Sequence, residues 1–302
     1  MNELNEIVAR LDHEFQIETF GKDISFSRFI PTVYDPLKFG WKNTFEEKFV
    51  ELFNGLMLRG APHVEKVFLA VFPTDSVLER FIEESKEGDM LFMHHPLLME
   101  CGDPKGKWGK GFVPIKEKYI TQIKEKKLSV YTCHIPMDCH KQLGTNIAMA
   151  RALNATIINS DDINNEFVLY CEVEKTNSEE LIAKLKEIFE IPYVDFEGQI
   201  QNEIQKVALV AGCGDVVDWM VEAEKNGVQA YISGEIHCHI DNEYGKQKFK
   251  SMMDFASTTS MSLIGVSHAA SEFLVLKTLM RKWFEHNFHL ETVLIAQEKW
   301  WY

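Results

Sequence analysis

Short apolar runs alternate with amphipathic segments along most of the chain. Apolar runs that predict buried strands lie at residues 64–71, 90–93, 128–132, 167–173, 206–211, 230–233, 261–266 and 288–295. Helical spacing appears between them, most clearly at 115–126, 178–189 and 242–256. Strands that alternate with helices in this way predict parallel pairing and right-handed crossovers. We therefore expect an α/β fold in two halves that meet near residue 150.

The first 60 residues carry a weaker pattern. Apolar residues at helical spacing predict an opening helix: Ile7, Val8, Leu11 and Phe15. Prolines and aromatic residues between Phe26 and Trp41 predict an irregular segment or an edge strand, and a helix is predicted over 44–56. Farther along, Ser76 is predicted to cap a helix that Gly88 ends.

Histidines collect where the predicted strands end. Of the eleven histidines, seven follow a strand's carboxyl end: His94, His95, His134, His140, His237, His239 and His268. Ligands of open parallel sheets bind at this edge. The sequence therefore predicts a functional site at the carboxyl ends of the strands.

His94 and His95 are followed by Pro96, which keeps residue 95 extended. Two neighbouring imidazoles at a strand end can reach two adjacent metal ions; the alternative is a histidine pair that caps carbonyl groups in a loop. Asp138, beyond the next strand, is placed to bridge two cations. Its alternative role is the N-cap of a helix that carries residues 147–153.

His268 and Glu272 are spaced i, i+4, which places both side chains on one helical face, as in metal-binding helices. The alternative is a surface pair in a first helical turn, where a carboxylate is favoured. Glu235, His237 and His239 alternate and share a face if that segment is extended. They are candidates for ligands, for groups that orient ligands, or for general acids and bases; a solvated loop is the alternative.

A glycine turn at residues 212–215 joins a predicted strand to a helix. Backbone N–H groups at such a junction can hold an anion. The turn has no Gly-x-Gly-x-x-Gly spacing and no P-loop lysine, so a tight structural turn is the favoured interpretation.

Composition and charge bear on the partners and the compartment of the protein. The 302 residues carry 46 acidic and 32 basic side chains, a net charge of −14, which argues against nucleic acid as the main partner. No apolar run approaches the roughly 18 residues of a membrane span. The first residues lack the features of a signal peptide, so we expect a cytoplasmic protein. The six cysteines form no Cys-x-x-Cys pair, which fits a reducing compartment.

Seven segments carry these features in a fixed order: Asn54-Gly55-Leu56, residues 67–77, Met93-His94-His95-Pro96-Leu97, residues 131–138, Gly212-Cys213-Gly214-Asp215, Ser233-Gly234-Glu235, and residues 267–272. In this order they resemble the motifs of the GTP cyclohydrolase 1 type 2 family, also called the YbgI-like family. The resemblance covers roughly residues 44–280. The segment Met93-His94-His95-Pro96-Leu97 resembles the family's most diagnostic motif, residues 131–138 its Tyr-x-x-His-x-x-x-Asp, and residues 267–272 its Gly-His-x-x-x-Glu.

The resemblance implies a two-lobed α/β protein with parallel and mixed sheets flanked by helices. It places a metal cleft at the strand carboxyl ends between the lobes. We expect a metal-bearing lobe formed by residues 1–150 with 245–302, and a second lobe at 151–244. By motif position the metal ligands are His94, His95, Asp138, His268 and Glu272. The family also implies two divalent ions per chain and a homohexameric ring of stacked trimers.

Several positions differ from the family's usual residues: Phe72 in place of Asp, Ile135-Pro136 in place of Thr-Asn, Ser233 in place of Thr, Ser267 in place of Gly, and Ala269 in place of an aromatic residue. The five ligand positions are unchanged. The surroundings of the site have changed, so a specific GTP cyclohydrolase activity does not follow from the resemblance alone.

The leading hypothesis is a dinuclear metal-dependent hydrolase of a small nucleotide-like or phosphorylated molecule. Glu235, His134 and His239 are the predicted proton-transfer groups. Zinc suits an imidazole-rich set, with iron, manganese and nickel as alternatives. The second hypothesis is a non-catalytic metal-binding scaffold or regulatory protein that acts through partners. A third is a structural zinc site drawn from nearby thiols and imidazoles: Cys133, His134, Cys139, His140 and Cys238.

Overall fold

The computed structural model describes residues 2–158, 166–299 and 301. The chain forms two compact units. Unit 1 comprises residues 1–99, 112–140 and 276–298, and unit 2 comprises residues 100–111, 141–275 and 299–302. No helix in the described part of the chain is long and apolar enough to cross a membrane.

The strands follow in chain order: β1 (Asn2–Glu3), β2 (Gly55–Leu58), β3 (His63–Val64), β4 (Lys66–Ala70), β5 (Met90–Met93), β6 (Leu98–Glu100), β7 (Gly111–Val113), β8 (Ser129–Thr132), β9 (Thr156–Ile157), β10 (Leu169–Thr176), β11 (Asp195–Gly198), β12 (Ile204–Cys213), β13 (Ala230–Glu235), β14 (Ser262–Gly265) and β15 (Glu291–Leu294). The α-helices are α1 (Leu4–Glu14), α2 (Ile17–Phe20), α3 (Phe26–Tyr34), α4 (Trp41–Thr44), α5 (Glu47–Leu52), α6 (Asp75–Glu84), α7 (Glu117–Glu125), α8 (Ile135–Asp138), α9 (Thr145–Leu153), α10 (Ser178–Phe189), α11 (Val217–Lys225), α12 (Glu243–Ala256), α13 (His268–Val275) and α14 (Arg281–Phe288). A 3-10 turn at Asp35–Leu37 and a π-helical turn at Leu276–Met280 complete the elements.

Unit 1 is built on a five-stranded sheet with the order β15-β4-β5-β8-β2. The first four strands run parallel, and β2 pairs antiparallel with β8. Ala70 is level with Met93, and Met93 is level with Thr132. The residues that follow β4, β5 and β8 therefore emerge side by side at one edge of this sheet.

Unit 2 is built on a six-stranded sheet with the order β11-β14-β13-β12-β10-β9. The central strands β12, β13 and β14 run parallel, and the outer strands are antiparallel. Val210, Ser233 and Gly265 are level with one another. The glycine turn, Glu235 and His268 come after these levels, so they meet at the carboxyl edge of the second sheet.

The predicted fold class is confirmed: both sheets contain parallel strands, and helices connect them. The prediction for residues 26–41 was wrong, because α3 occupies Phe26–Tyr34 and contains Pro31. Phe26, Ile30 and Tyr34 are buried at helical spacing, so core packing outweighs the hydrogen bond that proline cannot make.

Two further helices differ from the predictions. The helix predicted over 44–56 is interrupted: α5 ends at Leu52, Phe53 and Gly55 have positive φ, and β2 begins at Gly55. Both predicted caps of the next helix are also wrong: Ser76 does not begin it, and α6 ends at Glu84 with Ser85 rather than Gly88 as its C-cap. The N-cap of α6 is Thr74, whose side-chain oxygen accepts a hydrogen bond from the Val77 N–H at 3.3 Å.

Candidate metal centre

Three imidazoles meet at the carboxyl edge of the unit 1 sheet. His94 and His95 follow β5 and His134 follows β8; we call these three residues the histidine cluster. The ring centroids are 4.8 Å apart for His94 and His95, 5.1 Å for His94 and His134, and 5.0 Å for His95 and His134. One nitrogen from each ring lies within 4.8 Å of the others, close enough to hold a metal ion.

His94 is fixed by a hydrogen bond from Nδ1 to the carbonyl oxygen of Cys133 at 2.7 Å. A carbonyl only accepts, so Nδ1 carries the proton and Nε2 of the neutral ring has a lone pair. His94 Nε2 lies 3.4 Å from Asp138 Oδ1. A lone pair and a carboxylate oxygen at this distance suit a shared cation, and an outer hydrogen bond of this kind is typical of metal-ligating histidines.

Asp138 is the last residue of α8, and α9 begins at Thr145 with Gly144 as its N-cap. The alternative that Asp138 caps this later helix is therefore wrong. The short α8 instead turns the chain back so that the Asp138 carboxylate reaches His94. The i, i+4 step from His134 to Asp138 allows one turn to supply both side chains.

Aromatic rings form an apolar wall against the histidine cluster. The Phe72 ring lies 4.4 Å from the His95 ring, and the Phe26 ring lies 4.5 Å from His134 and 5.6 Å from His95, measured between centroids. By the motif resemblance, Phe72 stands at a position where a carboxylate is expected. Phe72 instead makes a hydrophobic contact with the His95 ring.

Two polar residues in this unit escaped the sequence analysis. His134 Nδ1 donates to Asp23 Oδ2 at 2.9 Å, and the His134 backbone N–H donates to Asn54 Oδ1 at 2.7 Å. The sequence shows Asn54 only as part of the Asn54-Gly55-Leu56 segment. Asp23 lies 111 positions before His134 in a segment with no recognisable pattern, so no local signal pointed to it.

In unit 2, His268 and Glu272 lie on the first turn of α13, as their spacing predicts. His268 Nε2 is 3.0 Å from Glu272 Oε1, and both side chains are buried. The alternative of a surface pair is therefore excluded. An imidazole nitrogen beside a carboxylate oxygen forms a half-site that is suited to a divalent cation.

Gly212, in the glycine turn, leaves the space that the Glu272 carboxylate occupies. Gly212 has φ of +67°, and a Cβ there would overlap Glu272 Oε1 and lie 3.2 Å from His268 Nε2. The Gly212 N–H donates to Ser271 Oγ at 2.9 Å, and the Gly214 N–H donates to the Gly212 carbonyl at 3.0 Å. These two donors are therefore used within the protein, and the glycine at 212 allows the close packing of Glu272.

Glu235 lies on the other side of the His268 ring. Its Oε2 is 3.3 Å from His268 Nδ1, and it accepts from the thiols of Cys213 at 3.5 Å and Cys101 at 3.8 Å. Burial raises the pKa of Glu235, but the hydrogen bond and charge of His268 outweigh it and lower the pKa overall. A buried carboxylate on Nδ1 orients the imidazole so that Nε2 faces Glu272.

His237 and His239 have different environments. His237 Nε2 lies 3.1 Å from Glu197 Oε1, and His239 Nδ1 is 3.2 Å from the His237 carbonyl oxygen. Burial lowers the pKa of His239, and its ring packs 5.2 Å from that of Trp108. In the described residues, no group able to hold a metal includes His239. The proton-transfer role of His239 stays a prediction.

The thiol-based zinc site finds little support in the described residues. No metal-capable group there includes Cys133, Cys139 or His140. His140 Nε2 instead contacts the Glu14 carbonyl oxygen at 3.2 Å, and burial raises the pKa of the Cys133 thiol well above its usual value. Cys238 is grouped with Asp215 and Glu235, so it belongs to other surroundings.

A comparison with known protein families identifies the family of this chain. Residues 52–299 match the family model described as Duf34/NIF3 (NGG1p interacting factor 3). The chain belongs to this family. The resemblance inferred from the motifs is thereby confirmed, and Asp23 falls outside the matched segment.

Individual relatives agree with this assignment. A protein of Pyrococcus abyssi named GTP cyclohydrolase 1 type 2 homolog is 28% identical over 250 residues, which cover 80% of this chain and 88% of the relative. The solved structure of protein ybgI, described as of unknown function, superimposes with a TM-score of 0.71 at 17% identity over 99% of this chain and 100% of that chain. A solved structure from Thermus thermophilus, that of TTHA1606, gives a TM-score of 0.64 at 19% identity over 99% of both chains. At these identities the structural likeness concerns the fold.

Proposed function

We propose that the protein binds two divalent metal ions and hydrolyses a small nucleotide-like or phosphorylated molecule. The proposed ligands are His94, His95 and Asp138 from unit 1, and His268 and Glu272 from unit 2. One observation carries the proposal: His94 Nε2 lies 3.4 Å from Asp138 Oδ1, while Nδ1 of the same ring is held by the Cys133 carbonyl oxygen. The name of the Pyrococcus abyssi relative supports the class of substrate.

The donor atoms suit the proposed ions. Imidazole nitrogens and carboxylate oxygens together favour zinc, iron, manganese or nickel over hard cations such as calcium. Burial of His94, His95, His268 and Glu272 and the apolar wall of Phe26 and Phe72 favour strong binding, since less water competes. When bound, such ions lower the pKa of a water ligand and stabilise negative charge that develops on the substrate.

The surrounding residues are assigned distinct tasks in this proposal. His134 takes or gives a proton at Nε2, next to the rings of His94 and His95, because Nδ1 is engaged by Asp23. Glu235 orients His268 through Nδ1, a role that its position favours over direct proton transfer. His239 remains the third proposed proton carrier.

A turnover screen tests the proposed activity. Wild type and His95→Ala are incubated with nucleotides and phosphoesters, after chelation and again after reloading with Zn²⁺, Mn²⁺, Fe²⁺ or Ni²⁺. The matched control is His63→Ala, since His63 is an exposed histidine of unit 1 whose side chain pairs with Glu3. We expect metal-dependent turnover in wild type and His63→Ala and its loss in His95→Ala. Absence of turnover in metal-loaded wild type would contradict the hydrolase.

The second candidate function is a non-catalytic metal-binding scaffold. The observation that favours it is Phe72, which packs against His95 where the family usually carries a carboxylate. A protein that binds metal stoichiometrically and turns over no substrate in the screen would support this alternative. The structural zinc alternative is tested separately: Cys133→Ser and Cys139→Ser are expected to retain full metal content.

We also propose a cytoplasmic location, which the sequence features support, and a homohexameric ring, which the family resemblance implies. Light scattering on the purified chain tests the assembly. A mass close to six times 34.9 kDa supports the ring, and a stable monomer contradicts it.

A further inference from the structure

We propose that Asp23 is a positioning residue for His134. Its carboxylate holds the imidazole with the proton on Nδ1 and leaves the lone pair of the neutral ring on Nε2. Asp23 precedes the segment matched by the family model, which begins at residue 52. The inference rests on the proposed function only in what Nε2 then does; the protonation state can be tested without any activity.

The Asp23 carboxylate is held at both of its oxygens. Oδ1 accepts from the backbone N–H groups of Ser25 at 2.9 Å and Phe26 at 2.8 Å, so it caps the start of α3. Oδ2 receives His134 Nδ1 at 2.9 Å. The side chain has no exposed surface. Its position is therefore set by the helix that it caps, and this position dictates where the His134 ring is held.

His134 is restrained by two further contacts, one to its backbone and one to its ring. The backbone N–H of His134 donates to Asn54 Oδ1 at 2.7 Å, which fixes the turn that starts α8. The Phe26 ring packs edge-on against the imidazole, with centroids 4.5 Å apart and planes at 68°. Phe26 is the first residue of α3. The same short segment thus supplies both the carboxylate and an aromatic wall.

The ionised carboxylate of Asp23 determines which nitrogen of the His134 ring carries the proton. Burial raises the pKa of this carboxyl, but the charge and hydrogen bond of His134 and the N–H groups of Phe26 and Ser25 outweigh it, which lowers the pKa to about 2. An ionised carboxylate only accepts hydrogen bonds, so Nδ1 must carry a proton. A neutral imidazole then has its lone pair on Nε2, where it can accept a proton.

The decisive variant is Asp23→Asn. Asparagine keeps one carbonyl oxygen for the N–H groups of Ser25 and Phe26, so the cap of α3 is retained. Its amide NH₂ then faces His134 Nδ1 and must donate, which requires a lone pair on Nδ1 and moves the proton to Nε2. Asp35→Asn is the matched control, because Asp35 accepts from Trp41 Nε1 at the far end of α3 and does not contact His134.

Long-range ¹H–¹⁵N NMR of the chelator-treated protein at alkaline pH reports which nitrogen of His134 carries the proton. We expect Nδ1–H in wild type and Asp35→Asn, and Nε2–H in Asp23→Asn. A wild-type signal from Nε2–H would overturn the proposal, and this result needs no variant to fold. An unchanged Nδ1–H signal in Asp23→Asn would also overturn it, provided that its spectrum is dispersed like that of wild type.

Kinetics of the metal-loaded protein give the second readout. If a substrate is found, Asp23→Asn is expected to lower kcat at least about tenfold with KM and metal content close to wild type. Equal losses in Asp23→Asn and Asp35→Asn would contradict a positioning role. If no variant turns over any substrate, the proposed function fails, whereas the NMR result still decides the role of Asp23.

Discussion

Replacing Gly212 by alanine perturbs the half-site of unit 2 through a single methyl group. Gly212 has φ of +67°, a conformation that L side chains rarely adopt. An alanine Cβ would overlap Glu272 Oε1 and lie 3.2 Å from His268 Nε2. The backbone of the turn is held by the hydrogen bond to Ser271, so the Glu272 carboxylate must move.

The expected cost has two parts. The left-handed conformation costs about 1–2 kcal/mol for a residue with a Cβ. Displacing Glu272 breaks its 3.0 Å contact with His268, and disrupting a buried hydrogen-bonded contact of this kind costs about 1–3 kcal/mol. We therefore expect Gly212→Ala to lower the free energy of unfolding by roughly 2–5 kcal/mol. Metal affinity should fall by about 10- to 100-fold, as when groups that orient a ligand are removed.

Gly227→Ala is the matched control, because Gly227 has φ of +75° and an alanine Cβ there would meet nothing within 4 Å. It carries the backbone cost without the overlap. Urea unfolding in chelator measures stability, and titration with Zn²⁺ or Mn²⁺ measures affinity. If Gly212→Ala and Gly227→Ala lose the same stability and both keep wild-type metal affinity, the close approach of Gly212 to Glu272 has no functional role.

Two further predictions concern unit 2. Ser267 has φ of +78°, and its Oγ accepts from the Ala270 N–H at 3.1 Å. Ser267→Ala should destabilise by about 1 kcal/mol through loss of this cap, and Ser267→Gly by less; a larger loss for glycine in urea unfolding would refute this account. Burial lowers the pKa of His237, but Asp195 and Glu197 outweigh it and raise the pKa above 6.5. Protonated His237 therefore stabilises the fold below pH 6.5, and this contribution is lost as pH rises through the folded-state pKa. His237→Gln should lower the free energy of unfolding more in acid than in alkali, and a pH-independent difference would contradict the assignment.

Much of the fold follows from local pattern. The apolar run at 90–93 and the amphipathic segment at 178–189 match β5 and α10 to the residue, because burial and helical periodicity both act over a few positions. The placement of His94 and Asp138 near each other was accessible for a related reason. Parallel strands in register bring their carboxyl ends together, so strand-end residues meet even when they are far apart in sequence.

Features that depend on tertiary packing were not accessible. Pro31 argues against a helix in the sequence, but burial of Phe26 and Ile30 in the core stabilises α3. The thiol of Cys101 lies against Glu235, 134 positions away, although the scattered cysteines gave no pattern. Asp23 likewise acquires its role only when α3 packs beside His134. A single long-range hydrogen bond leaves no periodic trace in the sequence, so such residues appear only in the structure.

The central claim is that this chain holds two divalent ions through the predicted ligands. Metal content measured by plasma mass spectrometry, on tag-free protein prepared without chelator, tests it most directly for wild type, His95→Ala and the control His63→Ala. We predict close to two equivalents per chain in wild type and the control, with a sharp fall in His95→Ala. One equivalent that is unchanged in His95→Ala, or no metal after reconstitution, would contradict the claim.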